Sequence, residues 1–380
     1  MSQFFKEKLG DLYKINTGKA NTVDQVEDGQ YSFFGRGKKI MKSNSYLYDC
    51  DAIIIAGEGT SFFPKQFSGK FNLHQRAYAI HSSNGKVDIQ YLNYFLFFNE
   101  KYFQNVAVGA TAKSLRLRHF IDLEIPFPSI NEQKHIVKKL DTCMEQIDKA
   151  IKNVEQNIQN AEDLFQSQLN EVLSSNKDGW IEKKLGEVCK LITKGTTPTS
   201  VGYKFIDEGI NFVKVESIAL DGSFIKTKFA HISIDCHNKL KRSQLKEGDI
   251  IFSIAGALGR TAIVTDEILP ANTNQALSIL RLKNDVDIDV KYLLYTLSNK
   301  DALEQVKNYG GGTAQQNLSL TQMKSFKLTF PSLHIQNQIV LKLDKIKIIT
   351  QLLKSNYQNE LKALNELKQS ILEKAFNGEL

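Results

Sequence analysis

Basic, amide and hydroxyl side chains are concentrated in short loops along this 380-residue chain. Lysine, arginine, serine and threonine can bind phosphate oxygens, whereas arginine, asparagine and glutamine can form paired hydrogen bonds with guanine or adenine edges. These residue types together are typical of a surface that recognises DNA. For any single residue a solvated loop is an equally good interpretation, and the sequence leaves that alternative open. The loops lie at residues 33–39, 72–76, 111–118, 193–198, 239–242, 259–261, 272–275 and 313–317.

The side chains that we expect to contact DNA come from these loops and fall into two groups, one in each half of the chain. The candidates of the first half are Arg36, Lys38, Lys39, Gln75, Arg76, Lys113, Arg116 and Arg118. The candidates of the second half are Lys194, Thr196, Arg260, Asn274, Gln275, Gln315 and Gln316. The sequence does not decide which of them read bases and which bind phosphates.

No group of residues suited to catalysis accompanies these loops. The sequence contains no GxxxxGK[ST] phosphate-binding loop, so we do not expect ATP hydrolysis. Its 6 prolines never adjoin, which excludes the Asn-Pro-Pro-aromatic type of loop used by amino-methyltransferases. The pair Cys236-His237 lacks the remaining ligands of a zinc site, and the 4 cysteines show no CxxC spacing. We therefore predict a non-catalytic chain that binds no metal or cofactor of its own and keeps its thiols reduced.

Composition is that of an ordinary folded protein, with 42% hydrophobic and 24% charged residues. The net charge of +7 lies mainly outside residues 129–176 and 333–380, which permits two separate anion-binding surfaces, although a solvated basic surface explains it equally well. No apolar run approaches the length of a membrane span, and the N-terminus has no secretory core, so the sequence predicts a cytoplasmic protein without a membrane partner.

An internal repeat organises the chain. The stretch FPSINEQKHIVKKLD at residues 127–141 returns as FPSLHIQNQIVLKLD at residues 330–344, and KLGDLYKI at 8–15 returns as KLGEVCKL at 184–191. The chain therefore consists of two tandem copies of one unit. Each copy combines short β-rich runs, bounded by turn residues, with helical periodicity, so the sequence predicts an α+β fold.

A long amphipathic helix follows each copy of the repeated stretch. Apolar residues recur at intervals of three and four from Ile136 to Phe165, and of three, four and seven from Ile339 to Ile371, a narrow stripe that is typical of a coiled coil. We expect helices over residues 131–174 and 334–376 that pair with each other antiparallel. The exposed ends of the stripes are candidate docking positions for a partner, and their ordinary alternative is coiled-coil core. These positions are Leu169, Leu173, Leu372 and Phe376.

Several motifs, in the same order in both copies, resemble those of the specificity subunits of type I restriction-modification systems. The resemblance covers essentially the whole chain, and its specificity comes from the repeated order of the motifs. They are YSFFG at 31–35, GEG at 57–59, FPSINEQ at 127–133, WIEKKLGEV at 180–188, KGTTP at 194–198, NTNQ at 272–275 and AFNGEL at 375–380.

The resemblance implies two target-recognition domains separated by an antiparallel coiled coil of two long helices. It places the first domain at 1–128, the central helix at 129–176, the second domain at 177–332 and the C-terminal helix at 333–380. It also implies that each domain binds one half of a bipartite double-stranded DNA site. Two methyltransferase subunits and, in the full complex, restriction (motor-nuclease) subunits would be the partners. S-adenosylmethionine, ATP and Mg²⁺ would be bound by those partners.

Two other interpretations stay open at this stage. A free-standing bipartite DNA-binding regulator would explain the repeat, but the sequence shows no compact helix-turn-helix. A coiled-coil scaffold would explain the helices but not the two domains with basic loops. Neighbouring genes for a methyltransferase and a helicase-nuclease would distinguish the first interpretation from both.

Overall fold

The computed structural model of the chain describes residues 4–37, 39–82, 87–109, 112–175, 177–309 and 317–380. The chain divides into two compact units. The first unit comprises Met1–Gln156 and Tyr357–Leu380, and the second comprises Asn157–Asn356. Each unit contains one copy of the repeat and a segment of each long helix.

The first copy of the repeat forms short strands and four short helices before its long helix. Its strands are β1 Lys6–Lys8, β2 Tyr13–Thr17, β3 Tyr31–Phe34, β4 Met41–Ser43, β5 Tyr48–Asp49, β6 Ala52–Ala56, β7 Glu58–Gly59, β8 Lys65–Phe67, β9 Lys70–Leu73, β10 Ala77–Ser82, β11 Lys113–Ser114 and β12 Glu124–Pro126. Its helices are α1 Leu9–Leu12, α2 Ile89–Phe98, α3 Glu100–Val106, α4 Leu117–Ile121 and α5 Ile130–Ser174.

The second copy repeats this plan. Its strands are β13 Ile181–Lys184, β14 Cys189–Lys194, β15 Ile210–Val213, β16 Ala230–Ile232, β17 Ile250–Ser253, β18 Thr261–Ile263, β19 Ala271–Thr273, β20 Leu277–Leu282 and β21 Lys327–Phe330. Its helices are α6 Leu185–Val188, α7 Ile234–Lys239, α8 Val290–Ser298, α9 Lys300–Tyr309, α10 Leu320–Lys324 and α11 Leu333–Asn377.

Strand pairing confirms the duplication. The antiparallel sheet β2-β10-β6-β8 of the first unit corresponds to β14-β20-β17-β18 of the second. Beside it, β3 pairs parallel with β9, and β15 pairs parallel with β19. The first and last strands of each copy also pair, β1 with β12 and β13 with β21. The predicted α+β fold with two repeated domains and two long helices is confirmed.

The central strands β6 and β17 of the main sheets are buried on both faces, which explains their continuous runs of apolar residues. In β6, Ile53 and Ile55 pack into the core formed with the helices, whereas Ile54 points into a smaller core shared with Phe34 and Phe71 of the neighbouring sheet. Side chains alternate between the faces of a strand, so a strand that is covered on both faces has no polar positions. The second unit repeats this alternation in β17.

The two long helices run antiparallel within each unit. In the first unit, Leu140 and Leu372 share one core, and Asp148 forms an ion pair with Lys368 at 2.6 Å. Moving forward along α5 therefore means moving backward along α11. In the second unit, Lys354 forms an ion pair with Glu162, while Leu343 shares a core with Leu169 further along α5. The predicted helix bounds and their antiparallel direction agree with the structure.

Two details of the helix stripes differ from the predictions. The candidate docking positions are buried, because the ends of the helices pack into the cores of the domains; these positions are Leu169, Leu173, Leu372 and Phe376. The ring of Phe376 lies 5.3 Å from the rings of Tyr91 and Phe95. The stripe of α11 passes through Lys368 and leaves Leu367 exposed. The ammonium group of Lys368 lies 5.2 Å from the centre of the Phe97 ring and forms an ion pair with Asp148.

The helical runs that precede the long helices are each broken in two. The break falls at Asn99 in the first copy and at Asn299 in the second. The Asn299 side chain accepts a hydrogen bond from the backbone N–H of Ala302 at 2.9 Å and so caps the next helix. Among the described residues, no helix has the length and apolar character needed to cross a membrane.

Candidate nucleic-acid interface

Three predicted loops of the first unit meet at an ion-pair cluster. The chain leaves the parallel strands β3 and β9 at the same edge, which brings Arg36 and Arg76 together. The carboxylate of Glu58, in β7, lies between them: Arg36 Nη1 is 3.1 Å from its Oε2, and Arg76 Nη1 contacts its Oε1. We call these three residues the arginine cluster. Its net charge is positive, and both arginine side chains are about half exposed, at 51% and 56%.

Glu58 is the anchor of the arginine cluster. Only 15% of its side chain is exposed, and the hydroxyl of Ser114 lies 3.5 Å from Oε1. Burial acts to raise the pKa of Glu58, but the hydrogen bonds and charges of Arg36 and Arg76 outweigh burial and hold the pKa below its usual value. The carboxylate is therefore ionised at neutral pH and neutralises part of the arginine charge.

A neutral histidine contacts the backbone of the arginine cluster. His74 is buried, and its Nδ1 accepts a hydrogen bond from the backbone N–H of Arg76 at 3.0 Å. Burial lowers the pKa of His74, and the charges of Arg36 and Arg76 lower it further. The ring thus fixes the backbone of the turn without adding a charge.

Gln75 is exposed in the same turn as Arg76. Its side-chain amide donates a hydrogen bond to the Asn21 side chain at 2.6 Å. Gly18 lets the end of β2 approach this turn, since a Cβ atom there would lie 1.8 Å from the backbone oxygen of Leu73. Lys113 joins the same region through β11, where it pairs with Gly59 of β7.

The other candidates of the first half lie elsewhere or outside the described residues. Lys39 is exposed in the connection between β3 and β4. Arg116 and Arg118 are exposed at α4, where Arg116 precedes the first turn. Lys38 lies outside the residues that the structure describes. The structure therefore brings Arg36 and Arg76 together at Glu58, with Gln75 in the same turn as Arg76 and Lys113 in the strand that pairs with β7.

The second unit presents a polar group at the corresponding turn. Lys194 ends β14, and its neighbour Thr196 accepts a hydrogen bond from Arg242 Nη2 at 3.2 Å. Gln275 is exposed in the turn between β19 and β20 and contacts the hydroxyl of Thr197. The half-exposed Asn274 accepts a hydrogen bond from the backbone N–H of Ala276 at 3.1 Å. Lys194, Thr196, Asn274 and Gln275 are thus brought together.

Arg260 is held in a different place, between β17 and β18. Its Nη1 donates to the backbone oxygen of Ile218 at 2.9 Å, and its Nε is buried without a hydrogen-bond partner. These contacts stabilise the preceding loop, so Arg260 has a structural task. Gln315 and Gln316 lie outside the described residues.

The recurring Asn72 and Asn272 hold the fold together. Both are buried; the Asn72 amide donates to the hydroxyl of Ser43 at 3.2 Å, and that of Asn272 donates to Ser243 at 3.1 Å. The candidates predicted from the sequence did not include Glu58, although the GEG motif at 57–59 contains it. The signal that could have identified Glu58 is a single carboxylate close to loops that are otherwise basic.

The described residues contain no group of His, Cys, Asp or Glu side chains that could hold a metal ion. All 4 cysteines are free thiols. Burial raises the pKa of Cys189 to about 12 and also raises the pKa of Cys236, so these two thiols are unreactive at neutral pH.

Comparison with known proteins identifies the family. The family described as "Type I restriction modification DNA specificity domain" matches residues 1–157 and 177–363. These ranges cover most of the chain, so the chain belongs to this family of DNA specificity proteins. The family predicted from the paired motifs is thereby confirmed.

Individual relatives are similar in sequence to this chain over almost its whole length. The type I restriction enzyme EcoDI specificity subunit of Escherichia coli is 24% identical over 98% of this chain and 88% of its own length. The MjaVIII specificity subunit of Methanocaldococcus jannaschii is 23% identical over 98% of this chain and 92% of its own. A solved structure described as "Structural basis underlying complex assembly and conformational transition of the type I R-M system" has the same fold, with a TM-score of 0.71 at 20% identity, and covers 100% of this chain and 98% of that one.

Proposed function

We propose that each domain of this specificity subunit binds one half of a bipartite DNA site. The observation that carries the proposal is the different chemistry of one turn in a shared scaffold. Gln75 and Gln275 are both exposed after the strand that pairs parallel with its neighbour. Around Gln75 lie two arginines and a carboxylate, whereas around Gln275 lie threonines, an asparagine and a lysine. Two surfaces with different hydrogen-bonding groups suit two different base sequences.

Selection from a random duplex library tests this proposal. The full-length chain, purified with the methyltransferase subunits of its system, is incubated with duplexes that carry two randomised segments at varied spacing. We expect two enriched sequence elements separated by bases that are not read. Gln75→Ala should change only one element and Gln275→Ala only the other. Enrichment of a single continuous element, or of none, would contradict the proposal.

The same proposal gives the helices the task of recruiting partners. We define the exposed stripe as Leu341, Ile348, Ile349 and Leu352 of α11, which are each more than half exposed. Their spacing of seven, eight and eleven residues places them on one face of the helix. An apolar face of this kind suits a methyltransferase subunit, through which a restriction subunit would join the complex.

Catalysis and its cofactors then belong to those partners. We expect the purified chain to transfer no methyl group and to cleave no DNA when tested alone. S-adenosylmethionine, ATP and Mg²⁺ would act in the methyltransferase and restriction subunits. Methylation of DNA by the isolated chain, after removal of contaminating enzymes, would contradict this assignment.

A further inference from the structure

The two units can be aligned residue by residue around the arginine cluster. The backbone N–H of Gly57 donates to the oxygen of Arg76 at 2.8 Å, and the backbone N–H of Ile254 donates to the oxygen of Ala276 at 2.8 Å. The same strand pair makes both bonds, since β6 pairs with β10 and β17 pairs with β20. Gly57 therefore corresponds to Ile254, and Arg76 corresponds to Ala276.

The remaining two members of the cluster follow from this alignment. The residue after Gly57 is Glu58, and the residue after Ile254 is Ala255. The residue two places beyond β3 is Arg36, and the residue two places beyond β15 is Val215. The second unit therefore has no ionisable side chain at any of the three positions.

The fold does not require the charges of the cluster. The second unit forms the same strand pairs with Ala255, Ala276 and Val215 at these places. Three charged residues that occur together in one copy and are all absent from the other indicate a shared task other than folding.

We infer that Glu58 is a positioning residue that holds Arg36 and Arg76 as a pair of guanidinium groups for reading guanine in one half of the DNA site. Each arginine uses one Nη1 atom to contact the carboxylate. A guanidinium group has five N–H donors, so donors remain on each arginine for the O6 and N7 acceptors of guanine. The inference rests on the proposed reading of one half-site by each domain.

Glu58 acts in two ways in this arrangement. It restricts two long, half-exposed side chains before DNA binds, so less of their rotamer freedom remains to be lost on binding. Its negative charge also reduces the attraction of the cluster for any phosphate, which favours contacts that depend on base identity. The second domain, with Asn274 and Gln275 at its turn, has amide groups that suit adenine instead.

The test compares Glu58→Gln with Glu27→Gln in the full-length chain, purified with its methyltransferase subunits. Both substitutions remove one negative charge from the first domain, and Glu27 is exposed. Site selection from the duplex library measures base preference in both elements, and thermal unfolding checks that each variant is folded. We expect Glu58→Gln to reduce the preference for guanine in one element on the order of tenfold, because one well-formed guanidinium–guanine pair discriminates by roughly ten- to a hundredfold. The other element and the melting temperature should stay unchanged.

A double-mutant comparison separates positioning from a direct contact by Glu58. In a chain that already carries Arg36→Ala and Arg76→Ala, we expect Glu58→Gln to have no further effect on base preference. An unchanged guanine preference in the Glu58→Gln variant would overturn the inference, as would an equal effect of Glu27→Gln. If the unaltered complex enriches no bipartite site, the proposed function fails instead, so the two failures are distinguishable.

Discussion

The side-chain oxygen of Gln133 accepts a hydrogen bond from the backbone N–H of Asp88 at 2.9 Å, which ties the start of α5 to the start of α2. The Gln133 amide donates to the backbone oxygen of Pro128 at 2.9 Å. Gln336 repeats the arrangement with Asp289 at 2.9 Å. Both glutamines are fully buried. The repeated FPS stretch is therefore a joint between each domain and its helix, which explains why it is so similar in the two copies.

Gln133→Ala should destabilise the first unit by about 2–4 kcal/mol. The substitution removes the partner of the buried Pro128 oxygen and of the partly buried Asp88 N–H, and a buried group left without a partner costs about 1–3 kcal/mol. Urea denaturation followed by circular dichroism measures the change. Gln159→Ala, on the exposed face of α5, is the matched control and should change the free energy of unfolding by less than about 0.5 kcal/mol. Equal effects of the two substitutions would show that the joint does not hold the helix.

A buried ion pair in the second unit gives a second stability prediction. Asp249 is fully buried, and Arg281 donates to both of its oxygens at 2.7 Å. Arg281→Met leaves an unpaired buried carboxylate and should cost about 3–5 kcal/mol. Asp249→Ala should cost less, because the Arg281 side chain is 20% exposed and can reach water. The double variant should be more stable than Arg281→Met alone in denaturant titrations, and strictly additive losses would contradict a coupled pair.

The fold could be predicted well from the sequence because its strongest signals are local and occur twice. The bounds of α5 and α11 agree with the predicted helices within one residue, since apolar periodicity and the preceding prolines fix a helix start. The breaks at Asn99 and Asn299 were not visible, because the apolar spacing continues across both residues. The burial of Phe376 was missed because its aromatic partners lie far away in the sequence.

The candidate interface was harder to predict than the fold. Composition identified the basic loops, but only the strand pairing shows that Arg36 and Arg76 share one carboxylate. Arg260 has the residue type of a base reader, yet its Nη1 donates to the backbone oxygen of Ile218, a contact that the sequence could not predict. Asn272 belongs to one of the predicted loops, yet its side-chain amide makes a buried hydrogen bond that holds the fold.

Stability should decrease as the pH falls below about 6.5, the usual pKa of histidine. Burial, followed by the charges of nearby arginines, lowers the pKa of His74 and of His119 in the folded chain. The unfolded chain therefore binds more protons in this range, and the contribution present above pH 6.5 is lost on acidification. His74→Asn should weaken this dependence, because an asparagine side chain does not bind a proton in this pH range. Asn274 makes the corresponding backbone contact in the second unit, so asparagine fits this position. Denaturant titrations between pH 5 and 8 measure how the free energy of unfolding depends on pH. An identical pH dependence of the unaltered chain and the His74→Asn variant would contradict the prediction.

The exposed stripe should be needed for partner binding but not for folding. The double substitution Ile348→Glu and Leu352→Glu should abolish co-purification with the methyltransferase subunit, since it introduces charge into an apolar contact. The melting temperature should stay within a few degrees because both side chains are already exposed. Leu220→Glu is the control, as Leu220 is 82% exposed but lies outside the long helices. If the double variant still co-purifies with the methyltransferase subunit, the exposed stripe is not part of the interface.

Exchange of a single domain tests most directly the central claim that each domain reads its own half of the site. Residues 1–125 are replaced by the corresponding domain of a relative with a different site, and the methylated sequences of cells that carry the complete system are determined. Because the two units have separate cores and separate polar turns, we predict that one half-site changes to that of the relative while the other is retained. A change of both half-sites together, or of neither, would contradict the account.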